Sequence, residues 1–202
     1  MTVTPAEAAK GCQELPDREL VALCLDAGQR KDEAFAALYS RYADRVFGFL
    51  LKVTYDRNLA EEALQETFLR VYRSLDRFDA GRPLLGWLFQ IARYVAIDAY
   101  RVEAKVKRLE EKRAGEAAVA SDAGLVEGHA VQEERRALVE DAMAALTPDD
   151  RSLLLMRHYQ ELTFREIGEL TQCSPRTAQN RVKAAARRLQ DELCARRAGG
   201  EA

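Results

Sequence analysis

The sequence predicts an all-α protein made of two small helical domains joined by a flexible tether. Almost every apolar segment repeats at intervals of three and four residues, the period of a helix with one buried face. No segment alternates convincingly in the manner of a strand. Residues 103–132 are rich in Ala, Glu, Lys and Arg and contain few large apolar groups. Such a stretch cannot bury enough surface to offset its ordering entropy, so we expect a flexible linker with a helical extension at its start.

The first domain is expected over residues 15–102. A short helix is predicted near 17–27, and a long helix follows whose apolar positions run from Phe35 to Val53. Asp56-Arg57-Asn58 interrupts the pattern, and we assign Asn58 as the cap of the next helix, which carries Leu64 to Leu75. The Gly and Pro residues of 78–83 predict a loop, and a further helix begins near Leu84.

The second domain is expected over residues 133–195 and begins with a helix near Arg135. Thr147 and Pro148 form a helix start, with Thr147 as the cap and Pro148 in the first turn. The helix that follows leads into residues 163–189, which are typical of a helix-turn-helix. Ser174 can cap the second helix of that pair, and Pro175 suits its first position because the missing N–H would be unpaired there in any case.

The second helix of the pair has one apolar and one basic face. Its apolar stripe consists of Ala178, Val182, Ala185 and Leu189. The opposite face carries Arg176, Asn180, Lys183 and Arg187, with Gln179 at its border, and no acidic residue occurs from Arg176 to Leu189. These side chains supply the donors and acceptors that contact base edges and phosphates in a major groove. The sequence therefore predicts DNA binding by this helix, and a merely solvated basic face is the alternative.

Bulk properties exclude several classes of protein. The 202 residues carry a formal net charge of -2, so the chain as a whole is not basic. The positive charge expected to bind DNA is therefore confined to the basic helix. The cysteines (Cys12, Cys24, Cys173 and Cys194) form no Cys-x-x-Cys pair, and the histidines are only His129 and His158. We therefore expect reduced thiols, no metal and no cofactor. No apolar run could span a membrane and no signal peptide is visible, so we expect a cytoplasmic protein without membrane insertion.

Both halves carry motifs of one family. The first half contains Phe35-Ala-Ala-Leu-Tyr-Ser-Arg-Tyr42, residues 60–72 (AEEALQETFLRVY) and residues 87–101 (WLFQIARYVAIDAYR), and the second contains residues 147–151 followed by the helix-turn-helix. In this order and with this kind of tether, they resemble the extracytoplasmic-function class of bacterial RNA polymerase sigma factors. The similarity covers roughly residues 20–101 and 138–193. Family members often have Gly at the position of Glu161 and Asn at that of Tyr94.

The resemblance implies a promoter-specificity subunit that is not an enzyme. Such a subunit binds core RNA polymerase, through the clamp helices of the β′ subunit and through the β subunit, and directs promoter recognition, melting and transcription initiation. The second N-terminal helix would dock on the clamp helices through Glu62, Gln65, Glu66 and Arg70. The charges alone are equally compatible with a solvated surface, since Glu62 and Glu66 repel each other and Arg70 offsets them.

The resemblance also assigns the two promoter elements. The loop and the third long helix would recognise and melt the minus-ten element with Arg82, Trp87, Gln90, Arg93, Tyr94 and Arg101, which could hold an unstacked base and its strand. Core packing is an equal alternative for Trp87 and Tyr94, and we expect Asp98 to orient an arginine. The basic helix would bind the minus-thirty-five duplex through Arg176, Thr177, Gln179, Asn180, Arg181, Lys183, Arg187 and Arg188.

The expected partners are core polymerase, promoter DNA and an anti-sigma factor, and we expect the free chain to be monomeric. The nearest alternative is a helix-turn-helix transcriptional regulator that does not act as a polymerase subunit. A response regulator would need an α/β receiver, which the sequence does not contain. A helical hydrolase would need metal ligands, and Glu61, Glu62 and Glu66 have no accompanying histidine. An adaptor bundle would not need the basic helix.

Overall fold

The computed structural model describes residues 12–26, 30–79, 81–114 and 130–199. These residues form eight α-helices and no strand, which confirms the all-α prediction. The N-terminal bundle consists of α1 (Asp17–Leu25), α2 (Lys31–Thr54), α3 (Arg57–Ser74) and α4 (Leu84–Ala114), with a 3-10 turn at Leu75–Arg77. The C-terminal unit consists of α5 (Ala130–Ala145), α6 (Pro148–His158), α7 (Phe164–Leu170) and α8 (Pro175–Gly199).

The core of the N-terminal bundle lies where α2, α3 and α4 pack on one another. Leu38, Phe49 and Leu88 are fully buried there, and the rings of Phe49 and Phe89 lie 5.1 Å apart. Burying a large apolar side chain contributes about 1.5–3 kcal/mol. The three-and-four spacing of the sequence therefore gives these helices a common interior and leaves their polar faces available for contacts outside the bundle.

The α2–α3 junction differs from the sequence prediction in its cap. Tyr55 ends α2 in a left-handed conformation with φ 56°. Asp56 then caps α3, because its side chain accepts a hydrogen bond of 3.0 Å from the Leu59 N–H. Asn58 lies inside the first turn of α3, so its assignment as the cap is wrong.

The predicted caps of the C-terminal unit are confirmed. The Asp150 N–H donates to Thr147 Oγ1 at 3.2 Å, and the Thr177 N–H donates to Ser174 Oγ at 3.1 Å. Pro148 and Pro175 are the first residues of α6 and α8. A further capping box starts α7, where Thr163 and Glu166 bond reciprocally, and the side-chain and backbone bonds from Thr163 hold the pKa of Glu166 below its usual range.

The turn of the helix-turn-helix is tightly closed. The Cys173 N–H donates to the Gly168 carbonyl at 2.8 Å, and Gln172 adopts φ 55°. A Cβ on Gly168 would lie 2.7 Å from the Cys173 carbonyl oxygen, which is closer than real Cβ contacts allow. Glu161 also has φ 55°, the left-handed conformation that a glycine adopts without strain. The angle between α7 and α8 thus depends on a glycine at 168.

The C-terminal unit packs directly on the N-terminal bundle. Helix α6 lies against α2 and α4, and α7 also contacts α4. Helix α4 continues to Ala114, which includes the start of the expected linker, whereas the linker prediction for residues 115–129 lies outside the described residues. None of the described helices is both long and apolar enough to cross a membrane.

Candidate functional site

Helix α3 presents a polar stripe on its exposed side. Glu62, Gln65 and Leu69 are exposed and Glu66 is half-buried, at spacings of three and four residues that place them on one face. The opposite side of α3 is buried through Ala63, Thr67, Phe68 and Val71. Three of the predicted docking residues therefore lie together on an accessible surface, and Leu69 adds an apolar side chain that is 42% exposed.

Arg70 connects this stripe to α4. Its Nε bonds Glu66 Oε1 at 2.6 Å, and its Nη1 lies 3.8 Å from Asp98 Oδ2. The second oxygen of Asp98 lies 3.8 Å from Arg101. Asp98 is thus placed between two arginines, where it can orient both, as the sequence analysis expects of it. The stripe on α3 and the predicted residues of α4 form a continuous charged surface.

The loop before α4 and the start of that helix hold further predicted residues. Arg82 is exposed and lies 3.5 Å from Asp79, and Gln90 is half-buried. The Trp87 ring packs against the Phe78 ring, with centroids 5.1 Å apart, and joins the edge of the core. Trp87 therefore supports the loop, and Arg82 is the more accessible of these two side chains.

An open basic cleft of about 400 Å³ lies between α3 and α4. Its lining consists of Arg70, Arg73, Ser74, Arg77, Ile91 and Tyr94. Arg73 and Arg77 are exposed, and neither has an ion-pair partner within the described parts of the chain. Half-buried Tyr94 and Ile91 provide an aromatic face and an apolar wall. This combination suits a nucleotide, because the base can stack while the arginines bind phosphate.

Arg93 does not line this cleft. It is only 4% exposed and bonds side chains of the C-terminal unit, Ser152 and Asp149. It also lies over the Tyr94 ring, with its guanidinium carbon 5.5 Å from the ring centroid. In this arrangement Arg93 has no access to DNA.

Helix α8 presents the predicted basic face to solvent. Arg176, Thr177, Asn180, Lys183 and Arg187 are exposed, and Gln179 is half-buried. The apolar stripe of the same helix is buried through Ala178, Val182 and Ala185. The face that the sequence assigns to DNA is therefore free of internal packing.

Two of the predicted arginines of α8 have internal partners. Arg181 Nη2 bonds Asp149 Oδ2 at 2.8 Å, and Arg188 Nη1 bonds Asp150 Oδ1 at 2.7 Å. Asp150 is itself buried, with its side chain only 9% exposed. Arg181 and Arg188 therefore anchor α8 on the start of α6, and the contacts available to DNA concentrate on the residues around them.

The comparisons with known proteins address both halves of the chain. Sigma-70 region 2 matches residues 38–106, and Sigma-70, region 4 matches residues 136–189. The ECF RNA polymerase sigma factor SigK of Mycobacterium sp. (strain KMS) is 30% identical over 177 residues, covering 87% of this chain and 91% of that protein. The chain belongs to the ECF family of RNA polymerase sigma factors. The RNA polymerase sigma factor CarQ of Myxococcus xanthus, 34% identical over 161 residues, covers 80% of this sigma factor and 90% of CarQ.

Solved sigma factors share the fold. RpoE from Bartonella quintana, solved in complex with the anti-sigma factor NepR, has a TM-score of 0.57 at 21% identity and covers 79% of this chain and 96% of its own. CnrH, solved with the cytosolic domain of CnrY, has a TM-score of 0.60 at 22% identity, and the match covers 89% of this chain and 97% of the CnrH chain. As a member of the family, this sigma factor binds core RNA polymerase and directs promoter recognition and transcription initiation.

The family decides between the alternatives that the sequence analysis left. A helix-turn-helix regulator outside the polymerase does not contain both sigma regions, and an α/β receiver is incompatible with the N-terminal bundle. Sigma factors are specificity subunits and not enzymes.

Sequence reasoning missed three residues of this sigma factor that the geometry brings into view. Leu69 lies one turn after Gln65 and Glu66, so extending the exposed stripe by one step would have found it. Arg73 and Arg77 follow Arg70 by three and seven residues, a helical spacing that places them along one side of α3 and the turn that follows it. That spacing was visible in the sequence, but the cleft itself depends on how α4 packs against α3.

Proposed function

We propose that this sigma factor docks on the clamp helices of the β′ subunit through the exposed stripe of α3. Glu62, Gln65 and Glu66 supply charge and hydrogen bonds, and Leu69 supplies an apolar contact at the end of the stripe. Arg70 holds Glu66 at 2.6 Å and so presents its carboxylate in one orientation. Preordered polar groups beside an exposed apolar side chain are typical of specific protein interfaces.

The minus-ten strand is proposed to follow the loop and α4 into the basic cleft. Arg82, Gln90 and Arg101 lie along this path, and Trp87 braces the loop through Phe78. Tyr94 and Ile91 would receive an unstacked base, and Arg73 and Arg77 would bind the adjacent phosphates. Arg93 joins this surface only when the C-terminal unit moves away from it.

Replacing Arg77 by Ala should weaken binding to single-stranded minus-ten DNA and lower the salt dependence of that binding. Each lost phosphate contact removes about 0.7 from the slope of log affinity against log salt for a single strand. The measurement is fluorescence anisotropy of the holoenzyme with a labelled oligonucleotide at several salt concentrations. Arg18→Ala is the matched control, because Arg18 is exposed on α1. An unchanged slope for Arg77→Ala would remove the cleft from the DNA path.

We propose that the minus-thirty-five element binds α8. The proposal rests chiefly on the exposed basic face of this helix. Its exposed residues Arg176, Asn180, Lys183 and Arg187 lie along one face, and the helix carries no acidic residue before Asp191. Arg176, Thr177, Gln179, Asn180 and Lys183 are closest to the N-terminal end, which enters the major groove in helix-turn-helix proteins. Arg187 lies further along, where the helix would meet the phosphate backbone.

Arg176→Ala should reduce discrimination between cognate and mutated minus-thirty-five duplexes, because a bidentate base contact contributes roughly 1–3 kcal/mol. Arg187→Ala should weaken binding to both duplexes alike and lower the slope of log affinity against log salt by about one. Arg187 is the better phosphate probe than Arg188, whose loss would also leave buried Asp150 without its partner. Holoenzyme affinity for both duplexes across salt concentrations measures the difference. Loss of discrimination in Arg187→Ala alone would reverse the proposed placement of α8.

The proposed partners also include an anti-sigma factor, because the solved relatives RpoE and CnrH are bound to NepR and CnrY. We further propose that the chain contacts the β subunit, is monomeric when free and acts in the cytoplasm, where the polymerase is found. Reconstituting holoenzyme and sequencing the 5′ ends of its transcripts tests the central proposal and identifies the promoter. Failure to bind core polymerase or to start transcripts at defined sites would contradict it.

A further inference from the structure

Arg82 lies in an exposed loop that is held on both sides of it. Phe78 anchors the start of the loop, because its ring packs on Trp87 with centroids 5.1 Å apart and its N–H donates to the Leu75 carbonyl at 3.1 Å. Pro83 follows Arg82, and α4 begins at the next residue. A proline disfavours the helical conformation in the residue before it, so the backbone at Arg82 is biased towards extended conformations.

Asp79 closes this loop with its backbone and with its side chain. Its carbonyl accepts the Arg82 N–H at 2.9 Å, and its Oδ1 accepts the Gly81 N–H at 2.9 Å. Its second carboxylate oxygen, Oδ2, lies 3.5 Å from Arg82 Nε. The two oxygens of Asp79 therefore have separate roles, because Oδ1 holds the backbone of the turn and Oδ2 holds the guanidinium group.

The ion pair between Asp79 and Arg82 contributes little to the stability of the fold. The two side chains are 68% and 57% exposed, and ion pairs between exposed side chains are weak in water. Within the described part of the chain, Asp79 is the only ion-pair partner of Arg82. The pair thus orients the guanidinium group through Nε and leaves the terminal Nη1 and Nη2 donors available to a ligand.

Two terminal N–H donors match a base that has two neighbouring acceptors. Guanine has O6 and N7 next to each other, and arginine bonded to this pair of atoms is the commonest specific contact to DNA. Unpaired cytosine offers O2 and N3 in the same way, because proteins reach the Watson–Crick edge of single-stranded bases. Adenine and thymine alternate donors and acceptors along these edges, so they satisfy only one of the two donors.

We propose that Asp79 is a positioning residue that orients Arg82 towards a guanine or cytosine of the minus-ten strand instead of a phosphate. This inference rests on the proposed place of Arg82 on the minus-ten surface. Carboxylate and phosphate bind the same planar donors of a guanidinium group, so Asp79 competes with the DNA backbone for Arg82. Asp79 therefore lowers the affinity for DNA of any sequence and gives the loop a base preference.

The test measures binding of the holoenzyme to labelled single-stranded oligonucleotides at several salt concentrations. Each position of the mapped minus-ten element carries each of the four bases in turn. Wild type should prefer guanine or cytosine at one position by at least about fivefold, the lower end of what a bidentate base contact provides. Asp79→Asn should lose this preference and steepen the slope of log affinity against log salt by about 0.7, because the released arginine binds a phosphate. Arg82→Gln should lose the preference without steepening the slope.

Two controls separate the charge of Asp79 from the shape of the loop. Trp87 is the only tryptophan of the chain and packs against Phe78, so its fluorescence in the free chain reports on the loop. Asp79→Asn keeps an oxygen that can accept the Gly81 N–H and should leave this emission unchanged, whereas Asp79→Ala should shift it. Asp76→Asn is the matched charge control, because Asp76 is exposed in the preceding 3-10 turn and has no ion-pair partner among the described residues. It should match wild type in base preference and in salt slope.

The outcomes distinguish this inference from the proposed minus-ten surface. A base preference that persists in Asp79→Asn but is lost in Arg82→Gln would overturn the positioning role and leave Arg82 on the surface. Absence of the preference in wild type, or its persistence in Arg82→Gln, would overturn the inference. Unchanged affinity of Arg82→Gln for every oligonucleotide would also remove Arg82 from the minus-ten surface. Equal slope changes in Asp76→Asn and Asp79→Asn, or a shifted Trp87 emission in Asp79→Asn, would overturn the specific role of the Asp79 carboxylate.

Discussion

Gly168→Ala should destabilise the helix-turn-helix and abolish most minus-thirty-five binding. The new Cβ would lie 2.7 Å from the Cys173 carbonyl oxygen and 3.2 Å from the Pro175 nitrogen, which are backbone atoms that cannot rotate away. Overpacking of this kind costs about 1–3 kcal/mol. Thermal unfolding followed by circular dichroism should show a decrease in Tm of about 2–4 °C for each kcal/mol in a chain of this size. Binding to a minus-thirty-five duplex measures the functional loss.

Gly48→Ala is the matched control for this prediction. Gly48 lies inside α2, and a Cβ there would meet nothing within 4 Å. Glycine inside a helix destabilises it by roughly 0.5–1 kcal/mol relative to alanine, so Gly48→Ala should raise the Tm. Replacing glycine by alanine is thus expected to raise the Tm in α2 and to lower it in α7. A Tm increase for both variants would show that the turn after α7 adjusts to a side chain at position 168.

Glu66→Arg should weaken binding to core polymerase by at least roughly thirtyfold. Disrupting a desolvated interfacial charge pair costs about 2–5 kcal/mol, and every 1.4 kcal/mol is tenfold in affinity. The new arginine would also repel Arg70, which Glu66 contacts at 2.6 Å. That local repulsion is worth only about 0.2–0.5 kcal/mol, so helix content should be unchanged. Circular dichroism and a titration of labelled core polymerase measure the two effects separately.

Glu61→Arg controls for the charge change. Glu61 is also exposed on α3 and also pairs with an arginine four residues away, Arg57, at 2.9 Å. It lies outside the stripe of Glu62, Gln65 and Glu66. Core affinity close to wild type for Glu61→Arg, together with a large loss for Glu66→Arg, is the expected pattern. Equal losses for the two variants would indicate a general electrostatic effect, and wild-type affinity for Glu66→Arg would exclude this face of α3.

The helices and most of their caps were predictable because their signals are local. Thr147 and Ser174 each lie directly before a proline and a helical pattern, and both are caps in the structure. The α2–α3 junction contains two good capping residues, Asp56 and Asn58, and composition cannot choose between them. The choice follows from Tyr55, whose left-handed conformation ends α2 immediately before Asp56. A strain of that kind is not visible in the sequence.

The candidate site was predictable where it lies on one helix and not where it depends on two. The exposed face of α8 follows from the position of Ala178, Val182 and Ala185 opposite it. The partners of Arg93 and Arg181 do not follow, because Asp149 lies 56 and 32 residues away from them in sequence. An exposed arginine and an arginine with an internal partner have the same local pattern, and only the packing of α6 against α4 and against α8 distinguishes them.

The length of α4 has a consequence for the spacing of promoter elements. The helix continues from Arg101 to Ala114, which adds a rigid arm of about 20 Å at 1.5 Å per residue. Residues 115–129 can span at most about 50 Å even if fully extended. The two lengths together are comparable to the distance between the two promoter elements. The connection therefore sets an upper limit on that distance, whereas elements that are closer together do not require it to be fully extended. We therefore expect a promoter with a lengthened spacer to lose more transcription than a promoter with a spacer shortened by the same number of base pairs.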